Sequence, residues 1–349
     1  MKNTIVCLLL GILVSGSFLS GCSVEKTEEN STTCSLADET MDPVLHKAIC
    51  EALGYNADEE LTDEDYLSVT SIGIFYENIY SIKGISKLAN LTSISISGGN
   101  LTDISELSKL SHIQFIDIYG NLVSEIPDFS QCSELTELHL TGNLIEDIAP
   151  LTKADTLKYV DVANNRISSI EPLKDNTTIE SLVIDSNCIL DYYSVSNSQS
   201  LIEAIDNGSQ ATYKNCLETE QMALGVVETF PKGLSELELE KLIYQYVIDN
   251  MEYEVVYKDG AALGYYALKD GVGVCGDYAD LFCILSNHAG LEAYVCLSET
   301  HAWNIVVIDG EKYHCDALWD EGQDDWIYFN LSGEEMGKIE DHFFDEGRY

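Results

Sequence analysis

The chain has 349 residues, 45% of them hydrophobic and 22% charged, which is long enough for two domains and too apolar for a disordered chain. Its 18 Lys and Arg face 60 Asp and Glu, a formal net charge of −42. Such a surface repels phosphate backbones and excludes DNA and RNA as expected partners, while solubility or a basic or neutral partner accounts for the acid.

The N-terminus reads as a targeting segment. Lys2 precedes Ile5–Phe18, an almost wholly apolar or small run that is too short for a membrane span. Leu19-Ser20-Gly21-Cys22 comes next, and then polar Ser23-Val24-Glu25-Lys26. This block resembles the lipobox of bacterial lipoproteins. The resemblance implies a signal peptide over 1–21, lipidation of Cys22, and a chain anchored on the extracytoplasmic face of a bacterial cell membrane. The alternative is an ordinary signal peptide with an incidental cysteine. Residues 22–40, rich in Ser, Thr, Glu and Asp, form the expected tether. Of 11 cysteines, Cys7 leaves with the signal and Cys22 takes lipid. The rest are odd in number, so at least one thiol stays outside intramolecular pairs. Cys34 and Cys50 bracket the first helix and are candidates to pair.

Asp42-Pro43 opens a predicted amphipathic helix to Leu53, with Val44, Leu45, Ala48, Ile49 and Leu53 on its apolar stripe. Leu61-Thr62-Asp63-Glu64 marks a second helical start. Residues 41–66 are therefore expected to form a helical N-terminal cap on a run of repeats. In that run Asn121, Asn143, Asn165 and Asn187 recur every 22 residues, and Gly99 and Glu77 hold the same position in two earlier units. Before each marker, apolar residues stand at −8, −5 and −3, as in Leu135/Leu138/Leu140 and Leu157/Val160/Val162. Others recur at +2 and, in five units, at +5. These six units over 67–200 resemble leucine-rich repeats (L-x-x-L-x-L-x-x-N) of the internalin-like type. The resemblance implies an α/β solenoid of stacked parallel strands with an internal asparagine ladder.

Residues between the inward pairs form the expected concave face: Ser93, Ser95, Asp117, Tyr119, Glu137, His139, Tyr159, Asp161, Ser181 and Asp185. Tyr119, His139 and Tyr159 are the candidate contacts for a protein or glycan ligand. The alternative is a solvated spacer. The pattern decays after Asn187, and Asn207-Gly208-Ser209 punctuates the chain, so residues 201–349 form the second expected domain.

That domain opens with a predicted helix over 235–251, succeeded by a loop with Tyr253, Tyr257, Tyr265 and Tyr266. Next comes Gly271-Val-Gly-Val-Cys275-Gly-Asp-Tyr278-Ala279, glycines before the cysteine and a helical pattern after it. A thiol at a helix N-terminus gains from the dipole as a thiolate, and backbone N–H groups there suit a developing oxyanion. His301-Ala302-Trp303-Asn304 opens a strand to Ile308, and Asp309-Gly310 is a two-residue hairpin turn. If that turn forms, Ile308 faces Glu311, Trp303 faces Asp316, and His301 becomes a diagonal neighbour of Asp316. Asp316 is then placed to fix the imidazole tautomer.

The segments around Cys275, His301 and Asp316-Ala-Leu-Trp319-Asp320 resemble the bacterial transglutaminase-like (papain-like) superfamily. The resemblance covers about 215–349. It implies an α+β fold with Cys275 as nucleophile, His301 as base and Asp316 as orienting acid. It also implies acyl chemistry on amides of a protein or peptide substrate, with either water or an amine as acceptor. Gly276 stands where the family often has Gln or Glu, and Ala317-Leu318 replaces its usual Pro-Thr. Cys283 and Cys296 read as buried thiols, and Trp303 and Trp319 as packing. No cofactor or metal is expected, since no C-x-x-C pair is present. The rival reading is a binding protein whose second domain is a non-catalytic module.

Overall fold

The computed structural model describes residues 41–255, 264–298, 300–323, 325–339, 341, 342 and 344. Cys22, the tether, Cys34 and Tyr257 lie outside these residues. Helix α1 (Pro43–Leu53) starts where Asp42 Oδ1 accepts the Val44 N–H at 2.8 Å. Pro43 sits at the first helical position, where a missing N–H costs nothing. Gly54 ends the helix at φ 74°. Helix α2 (Asp63–Ser68) begins with a Thr62–Asp65 capping box. Leu45, Ala48 and Ile49 of α1 pack into the same core as β1 (Ser71–Phe75) and close the open end of the sheet.

After β1 come β2 (Ser93–Ser97), β3 (Phe115–Asp117), β4 (Glu137–His139), β5 (Tyr159–Asp161) and β6 (Ser181–Val183), all parallel and in chain order. Their register runs Ser71, Ser93, Phe115, Glu137, Tyr159, Ser181. Each step is one repeat, so the sequence period is the length of one coil. The inward pairs, such as Leu138/Leu140 and Val160/Val162, are fully buried in one continuous core.

The asparagine ladder forms as the resemblance implied. Asn143 Nδ2 donates to the carbonyls of Ile118 (2.7 Å) and Leu140 (2.9 Å), and its Oδ1 accepts the Val123 N–H at 3.2 Å. Asn121, Asn165 and Asn187 repeat this pattern. Gly99 is glycine because a Cβ there would lie 2.7 Å from Asn121 Oδ1. Glu77 instead pairs with Lys47 of the cap at 2.7 Å. Asn143→Ala would strand the Val123 N–H and the Ile118 carbonyl in the core. We predict a loss of about 3 kcal/mol in urea unfolding, at 1–3 kcal/mol per orphaned group. Ser93→Ala, on the solvent side of its strand, should stay within about 0.5 kcal/mol.

Helix α3 (Gln199–Gly208) lies on β6, and its Leu201, Ala204 and Ile205 belong to the solenoid core. A Cβ at Gly208 would meet the Leu182 backbone at 2.5 Å, so only glycine permits this approach. Helix α4 (Tyr213–Val227) bridges the two halves: Tyr213 sits in the solenoid core and Ala223 in a second core. That second core gathers helix α5 (Glu236–Asn250), helix α6 (Tyr265–Asp270) and helix α7 (Cys275–Ala289), and the short strands β7 (Glu252–Tyr253) and β8 (Val272–Gly273) pair on either side of α6 in the chain. α7 packs on an antiparallel sheet of β9 (Glu292–Leu297), β10 (Ala302–Ile308) and β11 (Glu311–Cys315), with β10 central. A short helix, α8 (Gly333–Met336), comes last. Among the described residues no helix is long and apolar enough to cross a membrane.

Candidate active site

Cys275 is the first residue of α7. Asp277 Oδ2 accepts the Val274 N–H at 2.8 Å, which anchors the turn into the helix. Gly273 makes room for that carboxylate, since a Cβ there would stand 2.3 Å from Asp277 Cβ. Asp277 stabilises the helix start but sets a negative charge two residues from the thiol, opposing the dipole's favour for thiolate. Cys275 is 1% exposed and packs with Ala279, Ala302, Val295 and Leu318. The thiol therefore lies beside the residue next to His301 in the chain.

The hairpin takes the expected register. Asp309 and Gly310 both have positive φ (52° and 83°), as a tight primed turn needs, and Ile308 pairs with Glu311. Asn304 Nδ2 donates to the Ala279 carbonyl at 2.8 Å, tying β10 to the helix one turn past Cys275. Ahead of β10, Ser298 Oγ accepts the His301 N–H at 3.0 Å, and the His301 carbonyl accepts the Ser298 N–H at 2.9 Å. His301 thus projects from a fixed turn.

His301 Nε2 meets Asp316 Oδ2 at 2.5 Å, with both residues buried (3% and 2% exposed). Asp316 Oδ1 accepts the N–H groups of Leu318 (3.1 Å) and Trp319 (3.2 Å). Burial opposes its charge, yet the hydrogen bonds from two histidines outweigh burial and hold the carboxyl below its usual range. With Nε2 committed to Asp316, Nδ1 is the nitrogen left for a thiol proton. Asp320 braces the same loop. Its Oδ1 accepts the Ile327 N–H at 2.7 Å, and its Oδ2 lies 2.6 Å from the Tyr244 hydroxyl. Burial raises the Asp320 carboxyl above its usual range.

The second histidine is His342, which the sequence did not mark. Its Nε2 reaches the same Asp316 Oδ2 at 2.9 Å, and it is 0% exposed. Its ring packs edge-on to Trp319 (4.6 Å, 90°) and to His301 (4.9 Å, 72°). His301, Asp316 and His342 also form a cluster, among the described residues, whose donor atoms lie within 4.8 Å of one another and could hold a metal ion. The 2.5 Å separation of His301 and Asp316 is that of a short hydrogen bond, whereas two ligands of one tetrahedral zinc at 2.0–2.1 Å would stand about 3.3 Å apart.

His314 also lacked a sequence signal. Its Nδ1 accepts the Trp303 indole N–H at 3.0 Å, which requires a neutral ring. Burial, with help from nearby His342, pulls its pKa down to about 4. The unfolded chain binds this proton at about 6.5, so stability is present above that value and is lost as pH falls towards about 4. Asp316, depressed when folded, adds a further loss below the usual carboxylate range. We predict a Tm that falls in the first of these windows and a flatter profile there for His314→Gln.

On the solenoid, His139 stacks on Tyr159 (4.8 Å, 27°) and lies 5.1 Å from Phe115, an aromatic run across three coils. Asp117 and Asp161 flank His139 in register. Burial raises the Asp117 carboxyl, partly offset by His139. Tyr119 is 50% exposed.

Residues 226–330 match the model of the Transglutaminase-like superfamily. An internalin (inlF) from Listeria monocytogenes is similar at 27% identity and a TM-score of 0.43, covering 48% of this chain and 50% of its own. An internalin C2 from the same species matches at 24% identity and a TM-score of 0.39, covering 49% of this chain and 83% of its own. A leucine-rich-repeat protein from Leptospira interrogans matches at 20% identity and a TM-score of 0.31, covering 34% of this chain and 32% of its own. The chain thus aligns with half the length of the first of these structures. No curated protein matches it.

Proposed function

We propose that this chain, a leucine-rich-repeat solenoid joined to a transglutaminase-like domain, performs cysteine-dependent acyl transfer from amide bonds of a protein or peptide. The observation that carries the reading is the 2.5 Å contact between buried His301 and Asp316, with Cys275 packed beside Ala302 at a helix start. Cys275 Sγ attacks the amide carbonyl carbon, and its proton passes to His301 Nδ1. Asp316 stays ionised and stabilises the imidazolium. Collapse of the tetrahedral intermediate breaks the C–N bond, and His301 returns the proton to the leaving amine. The thioester is then resolved by water, giving a peptidase or amidase, or by an amine, giving a transamidase. Hydrolysis is the simpler outcome, since an amine acceptor needs its own site. Cys22 would hold the protein on the outer face of a bacterial membrane through lipid, and Tyr119, His139 and Tyr159 would select a protein or glycan ligand.

The burial of Cys275 favours one second reading, a structural module with an idle triad. Iodoacetamide labelling from pH 5 to 9 separates the two. The triad predicts that Cys275 reacts well below the pH at which Cys132 does, whose thiol burial pushes up to about 11. Equal profiles for the two thiols would leave the structural module standing.

A further inference from the structure

Two thiols meet across the junction between the repeats and the second domain. Cys188 stands next to Asn187 of the last repeat, and Cys283 lies in α7, eight residues past Cys275 and about 12 Å along the helix. Their Sγ atoms stand 3.7 Å apart, although 95 residues separate them in sequence. Cys188 Sγ also lies 4.0 Å from the Cys283 carbonyl. Cys283 is walled in by the Ala293 carbonyl (3.3 Å) and Asn287. Cys188 is only partly buried and borders a pocket that also touches Asn187, Tyr192, Cys216 and His288. The junction has further ties. The Arg166 guanidinium lies 4.8 Å over the Tyr294 ring, and Glu220 Oε2 accepts the Tyr193 N–H at 3.0 Å.

We propose that Cys188 and Cys283 form a disulfide that staples the last repeat to the helix carrying Cys275. A disulfide needs an S–S distance of about 2.05 Å, so the sulfurs, 3.7 Å apart, must approach by about 1.7 Å. The oxidant is a small disulfide that meets the partly exposed Cys188 sulfur. The Cys188 thiolate attacks it, giving a mixed disulfide and one small thiol. Cys283 then attacks the Cys188 sulfur and expels the second small thiol. Two protein thiols are oxidised and one small disulfide is reduced. The contact with Cys188 and burial together hold the Cys283 thiol well above its usual range; once Cys188 is a mixed disulfide burial still opposes the Cys283 thiolate, so the second step speeds up as pH rises. The bond closes a long loop across the domain junction and fixes the catalytic helix against the solenoid.

The test oxidises the full chain with oxidised glutathione at pH 8, alkylates it in denaturant without reductant, and maps the peptides by mass spectrometry. The expected product is a Cys188–Cys283 cross-link that disappears with dithiothreitol. It should persist in Cys216→Ser and be lost in Cys188→Ser, which leaves Cys283 alkylated. Reduction should lower Tm by roughly 5–10 °C. Both thiols still fully alkylated, a stable glutathione adduct on Cys188, or a Cys188–Cys216 link would each overturn the proposal.

Discussion

Asp316→Asn is expected to slow acylation of Cys275 by a peptide amide about 10⁴-fold, the size of effect known when a triad acid becomes an amide. The reason is directional. Asp316 Oδ2 accepts from His301 Nε2 at 2.5 Å, which places the ring proton on Nε2 and leaves Nδ1 as a base. An asparagine can keep Oδ1 for the Leu318 and Trp319 N–H groups, but its Nδ2 then points at the histidines as a donor. His301 must turn Nε2 into an acceptor and move its proton to Nδ1, so it can no longer take the thiol proton. A 10⁴-fold loss is about 5.5 kcal/mol of barrier. Stability should fall by a smaller amount, about 1–3 kcal/mol, because a buried charge-assisted network loses a partner. Single-turnover acylation measured beside urea unfolding separates the two effects. A rate within tenfold of the unmodified chain would remove Asp316 from the chemistry.

The second large effect is expected at His342. His342→Phe keeps a ring among Trp303, Trp319 and Tyr328 but deletes the 2.9 Å donor to Asp316 Oδ2. A hydrogen bond to a charged group contributes about 1.5–3 kcal/mol, so urea unfolding should show a loss of that order. The catalytic consequence has a definite sign. With one donor gone, the Asp316 charge acts more fully on His301, which then holds a proton more tightly. Cys275 gives up its proton more readily, and its alkylation should begin at lower pH. His342→Gln, which restores an N–H donor, should bring the onset back. A purely structural role would lower stability without moving that onset.

How much of the molecule is legible in the sequence depends on how local the signal is. The solenoid is written in a 22-residue period, and the strand register repeats that period at every step. The meeting of His301 and Asp316 is legible because a two-residue turn at Asp309-Gly310 fixes every cross-strand pair beyond it. His342 carries no such mark. It sits beyond α8 in a segment without periodicity, and only the path of the chain returns its ring to Asp316. Cys283 reads as a buried thiol, and it is 2% exposed, but its contact with Cys188 joins two domains and has no local pattern. Gly99 looks like a defect in the ladder. It is instead the space that Asn121 Oδ1 requires. The helix over Gln199–Gly208 shows the same limit: no local pattern marks which domain it serves, and only packing against β6 shows that it joins the solenoid core rather than the second domain expected from residue 201.

Acylation of Cys275 is the step on which the proposed chemistry stands. Intact-mass spectrometry of the full chain, incubated with a peptide library and a primary amine, tests it most directly. The predicted result is an added acyl mass that maps to Cys275, is absent in Cys275→Ala, and decays to hydrolysed peptide or to an amine adduct. A chain that remains unmodified at Cys275 across the library, while His301→Ala leaves its alkylation unchanged, would contradict it.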